Sequence, residues 1–377
     1  MLQAPSLAAG SPFNLIAKLY QRSIWAAVSK VASGAPGGHP IVVELDATTQ
    51  CDLACPECIS ANVLGQGGFS SPRLLEIAHE LVDLGVRAVV LIGGGEPLLH
   101  PAISETIRIL KRGGVAVGLT TNGTRIHRHL RAIADGVAWT RVSIDAASPD
   151  VYGTLRPSRS GANAFEAVVG NMAALAKVKT GTLGYSYMLV ARKSPGANCF
   201  HNFGTIFAAA RLAREIGCDY FELKPARGIG HDVLVVDERL ERTFRRQVQE
   251  ISRLDGPAFR IVLSESLDAM FSRSRSPQDK TYARCLVSEL RTLIGPQGAY
   301  LCPYNRGDPR RAYGDPKVAP LRELWNSPTR HSVSRAADPR KDCPFDCVRH
   351  RSNLELVSIS RAQSAPPALT EDFDMFL

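Results

Sequence analysis

Cys51-Asp-Leu-Ala-Cys55-Pro-Glu-Cys58 puts three thiols within eight residues, directly after the apolar run from Ile41 to Leu45. Thiolates at short, regular intervals suit iron–sulfur clusters, whereas a closed structural zinc site takes four ligands. Three protein ligands on a four-iron cube leave the fourth iron free for a small molecule. Two plainer readings stand beside this one: half of a zinc knuckle, or buried apolar thiols. A second feature begins 35 residues after Cys58, where Ala88-Val-Val-Leu-Ile runs into Gly93-Gly-Gly-Glu96-Pro97. Glycines at a strand's end let a ligand approach the backbone closely. Glu96 adds a carboxylate that can accept hydrogen bonds from an ammonium group.

Cys285, Cys302, Cys343 and Cys347 form another set, separated by 16, 40 and 3 residues. Four thiolates close a metal site, and the spacing alone admits a fully ligated cluster or structural zinc. Two cysteines remain. Cys218 reads as a small buried residue. Cys199 lies in the loop after a predicted strand, and such loops face the active site of a barrel. A thiol there could donate a hydrogen atom to a substrate radical and invert a carbon centre. The alternative is an incidental loop thiol.

These residues need a scaffold. From 41 to 224 the sequence alternates strands and helices, the pattern of parallel βα units. Strands are predicted at 41–45, 88–92, 115–120, 140–145, 183–190 and 220–224. Helices are predicted at 102–112, 125–134, 163–177 and 203–216, and another starts at Ser71-Pro72. In that one Ser71 is the expected N-cap and Pro72 the first helical position. Leu74, Ile77, Ala78, Leu81 and Val82 mark its apolar face, and Gly85 closes it. Six βα units are too few for a full eight-fold barrel.

Several of these strands alternate apolar with polar: Glu44 and Asp46, then Arg141, Ser143 and Asp145, then Glu222 and Lys224. With helices on the outer face the polar set points inward, unlike the packed interior of an ordinary barrel. Buried charges need partners. Substrate and cofactor are candidates, and so are structural ion pairs among the charges themselves. Tyr187, Met188, Glu222 and Lys224 are candidate substrate contacts. An amphipathic stretch from Phe13 to Val31, with Leu15, Ile16, Leu19, Ile24 and Trp25, is expected to pack across the barrel.

A length of 377 residues and 45% hydrophobic content suit a barrel-sized domain plus a smaller one. No run approaches the roughly 20 apolar residues of a membrane span. The N-terminus lacks a basic, apolar, small-residue signal pattern, so a cytoplasmic protein is expected. Nine cysteines argue for metal or redox chemistry in a reducing compartment, not a disulfide framework. The net charge of +9 comes from scattered Arg and Lys. That disfavours nucleic acid and is compatible with an anionic small molecule.

The cysteine triplet and Gly-Gly-Glu-Pro together resemble the signatures of the radical S-adenosylmethionine (SAM) enzymes, and the resemblance covers about 41–350. It implies an α/β fold, a partial (β/α)6 TIM-like barrel. It also implies a 4Fe–4S cluster on Cys51, Cys55 and Cys58 that binds SAM and cleaves it reductively to a 5′-deoxyadenosyl radical. Gly94, Gly95, Glu96 and Pro97 would then hold the methionine amino group. Thr121, Asn122, Ser143 and Asp145 resemble the family's nucleoside-facing positions, and Arg156 is the candidate for the SAM carboxylate. One departure is Glu57, where the family usually has an aromatic residue beside adenine.

The segment around Cys302, and Leu321-Arg-Glu-Leu-Trp325 beyond it, resembles the C-terminal extension called SPASM, or its shortened form, twitch. Four cysteines imply one auxiliary 4Fe–4S cluster on Cys285, Cys302, Cys343 and Cys347. The arrangement looks closest to the twitch domain of an aminocyclitol dehydrogenase. The expected substrate is therefore a sugar or aminocyclitol of a natural-product pathway, oxidised or epimerised, with Cys199 the catalytic hydrogen donor in the second case. The alternatives are a ribosomal-peptide maturase and a non-catalytic zinc-binding protein. An electron donor such as flavodoxin or ferredoxin is the expected protein partner. The expected organisation is an N-terminal extension (1–38), the barrel (39–235), a linker helix region (236–280), the auxiliary cluster domain (281–351) and a tail (352–377).

Overall fold

The computed structural model describes residues 13–193, 199–226, 237–264, 267, 279–361 and 368–377, the side chains of Lys193 and Cys199 excepted. The strands are β1 (Val42–Asp46), β2 (Ala88–Ile92), β3 (Ala116–Thr121), β4 (Trp139–Ser143), β5 (Thr182–Leu189), β6 (Ala191–Lys193), β7 (Cys199–His201), β8 (Tyr220–Pro225), β9 (Arg260–Leu263), β10 (Arg291–Gly295), β11 (Gly298–Tyr300) and β12 (Ala312–Gly314). The chain forms two compact units, and their division falls within β3, between Gly118 and Leu119.

One unit takes in Pro5–Gln50, Val63–Gly118 and Ser276–Leu377. Here β1 pairs in parallel with β2 on one side and with β10 on the other. β10, β11 and β12 continue as an antiparallel meander. Helix α2 (Ser71–Asp83) is capped by Ser70, whose side chain accepts from the Arg73 backbone N–H. The cap thus lies one residue before the expected Ser71. Leu74, Ile77, Ala78 and Leu81 are buried as their spacing requires. Gly85, at φ +79°, takes the left-handed conformation that ends the helix.

The amphipathic N-terminal stretch becomes a short 3₁₀ turn (Ala17–Tyr20) and helix α1 (Trp25–Ala32). Instead of crossing strands, α1 packs on helix His350–Arg361 and on the turn Leu286–Glu289. Residues 370–377 lie against Lys18–Ser23, just before α1. The backbone N–H of Thr370 donates to Tyr20, and Lys18 donates to the Phe376 carbonyl and pairs with Asp374. Phe376 and Leu377 are buried.

The other unit takes in Cys51–Asn62 and Leu119–Arg275. β4, β5, β8 and β9 form a parallel sheet in that order. Helices α3 (Ile103–Arg112, of the first unit), α4 (Ile126–Gly136), α6 (Phe165–Ala176) and α7 (Ile206–Ile216) follow within three residues of the expected bounds. The short α5 (Pro149–Leu155) was not anticipated, nor was the hairpin of β6 and β7. β9 also escaped the sequence reading. Its four residues, Arg-Ile-Val-Leu, are too short for a periodic signal, and only pairing with β8 makes them a strand.

Much of the inward polar set is matched internally. Glu44 pairs with Arg291 at 2.7 Å, and Arg141 with Glu222 at 3.3 Å. Lys224 lies 3.6 Å from Glu222. Burial opposes the Glu222 charge, but Arg141 and Lys224 outweigh it and hold the carboxyl down at about 2. Among the described residues no helix is long and apolar enough to cross a membrane.

Candidate metal-cluster sites

The loop after β1 is held by one carboxylate. Asp52 accepts from Asn122 Nδ2 at 2.8 Å, from Thr124 Oγ1 at 2.7 Å and from Arg125 Nε at 3.2 Å. Its carbonyl accepts from the Arg159 backbone N–H, and Arg159 Nε donates to the Cys51 carbonyl. Leu53 is buried, and the Ala54 N–H donates to the Pro157 carbonyl. Cys51, Cys55 and Cys58 are half-buried and outside any disulfide. Donors face their sulfurs: Asn122 Nδ2 lies 4.0 Å from Cys51 Sγ and Arg156 Nη1 lies 3.8 Å from Cys55 Sγ. Burial pushes the Cys55 thiol up, and the Arg156 guanidinium opposes it. Such donors stabilise thiolate, the form that ligates metal.

Arg156 also donates to Asp145, so two residues expected at SAM bond to each other. Thr121 and Asn122 have structural work too. Thr121 Oγ1 accepts from the Gly123 N–H, and Asn122 Oδ1 accepts from the Thr124 N–H. Ser143 stands in register with Ser186, and Ser186 with Glu222, one row across three strands. Tyr187, expected at substrate, is turned to the opposite face and buried, its hydroxyl donating to the Asn202 carbonyl at 2.6 Å. The alternation of side chains along β5 decides this. Cys199 opens β7, but its side chain lies outside the described residues.

The glycine loop after β2 folds tightly on the end of the β1 segment. The Glu96 N–H donates to the Gln50 carbonyl at 2.7 Å. A Cβ on Gly93 would stand 1.6 Å from the Gly95 carbonyl oxygen, and one on Gly95 would stand 2.2 Å from that of Gln50. Only glycine fits at these two positions, because the loop folds against its own backbone and that of Gln50. Glu96 is buried and caps the turn Pro97–Leu99 by accepting from the Leu98 N–H. Asp46 lies against Gly94 of this loop and is bound by Arg306, a residue the sequence reading had not singled out.

The four remaining site cysteines come from separate pieces of one unit. Cys285 precedes the turn Leu286–Glu289, Cys302 follows β11, Cys343 follows the helical turn Pro339–Asp342, and Cys347 precedes helix His350–Arg361. Asn353 Nδ2 lies 3.6 Å from Cys285 Sγ, and the Arg349 N–H donates to Cys347 Sγ at 3.4 Å. Burial raises the Cys285, Cys302 and Cys343 thiols, Cys343 to about 11, and neighbouring thiols of the set raise each further. Cys285 and Cys347 thus lie within electrostatic reach of both other cysteines, though no three ligating side chains among the described residues converge on one point. Arg349 Nη1 is buried without a hydrogen-bond partner beside them. Half-buried thiols that repel one another's charge, with donors at two of them and a cation nearby, fit a group that accepts four thiolates.

The radical SAM superfamily profile matches residues 46–191, from the end of β1 to the start of β6. The chain carries a radical SAM domain. Mycofactocin maturase MftC of Mycobacterium ulcerans is 28% identical over 271 residues, covering 70% of this chain and 69% of its own length. MftC of Mycobacterium tuberculosis (strain CDC 1551 / Oshkosh) is 27% identical over 270 residues, and the chain spans 65% of it. Streptococcus suis SuiB, solved with precursor peptide SuiA, superposes with a TM-score of 0.60 at 15% identity, over 84% of this chain and 70% of SuiB. The structure of anSMEcpe with AdoMet and the Cp18Cys peptide gives 0.57 at 13% identity, over 85% and 96%. These likenesses show the fold, α/β with the parallel strands of a TIM-like partial barrel. Members of that superfamily bind SAM and a 4Fe–4S cluster.

Proposed function

We propose that the chain is a radical SAM enzyme that modifies a peptide. Cys51, Cys55 and Cys58 ligate the SAM-binding cluster, and Gly94, Gly95, Glu96 and Pro97 hold the methionine end. The observation that carries this is the cysteine loop, pinned through Asp52 by three side chains with donors turned to two of its sulfurs. When bound, the cluster supplies the electron that splits the SAM sulfonium to a 5′-deoxyadenosyl radical. The chain's own residues keep the loop in place and supply cationic and amide donors to the sulfurs.

Peptide is preferred to the sugar or aminocyclitol read from the sequence. Support comes from the likeness to a maturase and from two neighbours solved with peptides. Cys285, Cys302, Cys343 and Cys347 are proposed to hold an auxiliary 4Fe–4S cluster, within a domain spanning 281–351. Cys199 stays a candidate hydrogen donor, to be tested by Cys199→Ala once a substrate is known. A flavodoxin- or ferredoxin-type protein would supply electrons.

The test is anaerobic reaction of reconstituted, dithionite-reduced protein with SAM, assayed for 5′-deoxyadenosine. The expected result is production that vanishes in Cys55→Ala. A loaded triplet cluster whose EPR signal is unmoved by SAM would remove the reading. Tight binding of a precursor peptide, against none of aminocyclitols, separates the substrate classes.

A further inference from the structure

Asp46 closes β1, five residues before Cys51, and is fully buried. A buried carboxylate must be paired and hydrogen-bonded. Arg306 supplies a two-pronged partner, with Nε donating to Oδ2 at 2.5 Å and Nη2 to Oδ1 at 3.0 Å. That fork fixes geometry as well as charge. The Gly94 backbone packs against this carboxylate. Oδ2 stands 3.3 Å from where a Gly94 Cβ would be, so the contact is close. Burial pushes the Asp46 carboxyl up, with Arg306 opposing.

Arg306 is itself anchored. It is buried, ends the turn Pro303–Asn305 and donates its backbone N–H to the Pro303 carbonyl at 3.3 Å. Cys302 caps that same turn. The backbone beside Cys302 is therefore joined to the glycine loop through the turn, the Arg306 guanidinium, the Asp46 carboxylate and its packing on Gly94.

We propose that Arg306 is a positioning residue for SAM. Through Asp46 it sets the backbone of Gly94, so the turn that presents Cys302 and the loop that receives the methionine move as one piece. This rests on the reading of Gly94–Pro97 as the methionine site. A buried pair cannot be broken on one side without stranding a charge. The Asp46→Asn/Arg306→Gln double variant removes both charges and keeps the shapes.

SAM binding to the reconstituted protein is measured by anaerobic equilibrium dialysis, alongside iron content and thermal unfolding. The double variant is expected to bind SAM about tenfold to a hundredfold more weakly, the cost typical of losing an outer-shell partner of a ligand site, with iron and melting temperature unchanged. Glu96→Gln is run in parallel. Wild-type affinity in Glu96→Gln would discard the methionine-site reading. Weak binding in Glu96→Gln with wild-type affinity in the double variant would discard the role of Arg306 alone. Loss of iron or of the cooperative melt together with SAM affinity would also overturn it, because the pair would then support the fold generally.

Discussion

Arg156 donates to Asp145 through Nη2 while its Nη1 lies 3.8 Å from the sulfur of Cys55. One guanidinium thus ties the residue just after β4 to the middle cysteine of the triplet. Asp145 is held in turn. It sits at φ +62°, its Oδ1 accepts from the Met188 N–H at 2.6 Å, and its carbonyl accepts from Asn202 Nδ2 at 2.9 Å. A left-handed aspartate costs of order 1–3 kcal/mol and persists only where its surroundings dictate it.

Arg156→Gln should destabilise the protein by about 3–5 kcal/mol, because Asp145 would be left buried and unpaired. Asp145→Asn added to it should recover part of that loss. Denaturant unfolding of the two single variants and the double variant measures the coupling. Strict additivity would show that the pair does not act as a unit.

Gly95→Ala should leave the sheet intact and weaken SAM binding by at least about tenfold, some 1.4 kcal/mol. The added methyl would meet the Gln50 carbonyl oxygen at 2.2 Å, so the loop must shift. Titration of the cluster's EPR signal with SAM reads the change.

Cys302→Ala should lower iron from about eight to about four per chain after anaerobic reconstitution, with the triplet cluster still loaded. Zinc bound at the auxiliary cysteines of the parent protein would instead make that site structural.

Acid stability should depend on Glu289. Burial alone would raise this carboxyl, but Arg330, Ser334 and Arg284 hold it at about 2. The folded value is below the unfolded one, near 4.3, so between the two the unfolded chain binds more protons. The stabilisation is complete above about 4.3 and is lost as pH falls toward about 2. Glu289→Gln should flatten that acid limb in denaturant melts. It should also cost about 3–5 kcal/mol at neutral pH, since Arg330 is left buried without its charge.

The local chemistry was legible in the sequence because it depends on neighbours along the chain. Cysteine spacing, glycines at a strand's end and the alternation of βα units are short-range patterns. They located the triplet, the glycine loop and the strands β1 to β5 and β8. The need for glycine at Gly93 and Gly95 follows from contacts within the loop and with Gln50.

Tertiary structure decided what joins distant segments. No spacing rule links Asp46 to Arg306, or Glu44 to Arg291, since each pairs residues more than 240 positions apart. A polar residue's periodicity says which way it points, not which opposite charge it meets. For the same reason the bond between Asp145 and Arg156 could not be read from their positions along the chain. β10 reads as part of a separate region until its backbone meets the edge of β1. Pairing of strands depends on exposed backbone groups, which every residue shares, so sequence alone carries no address for it.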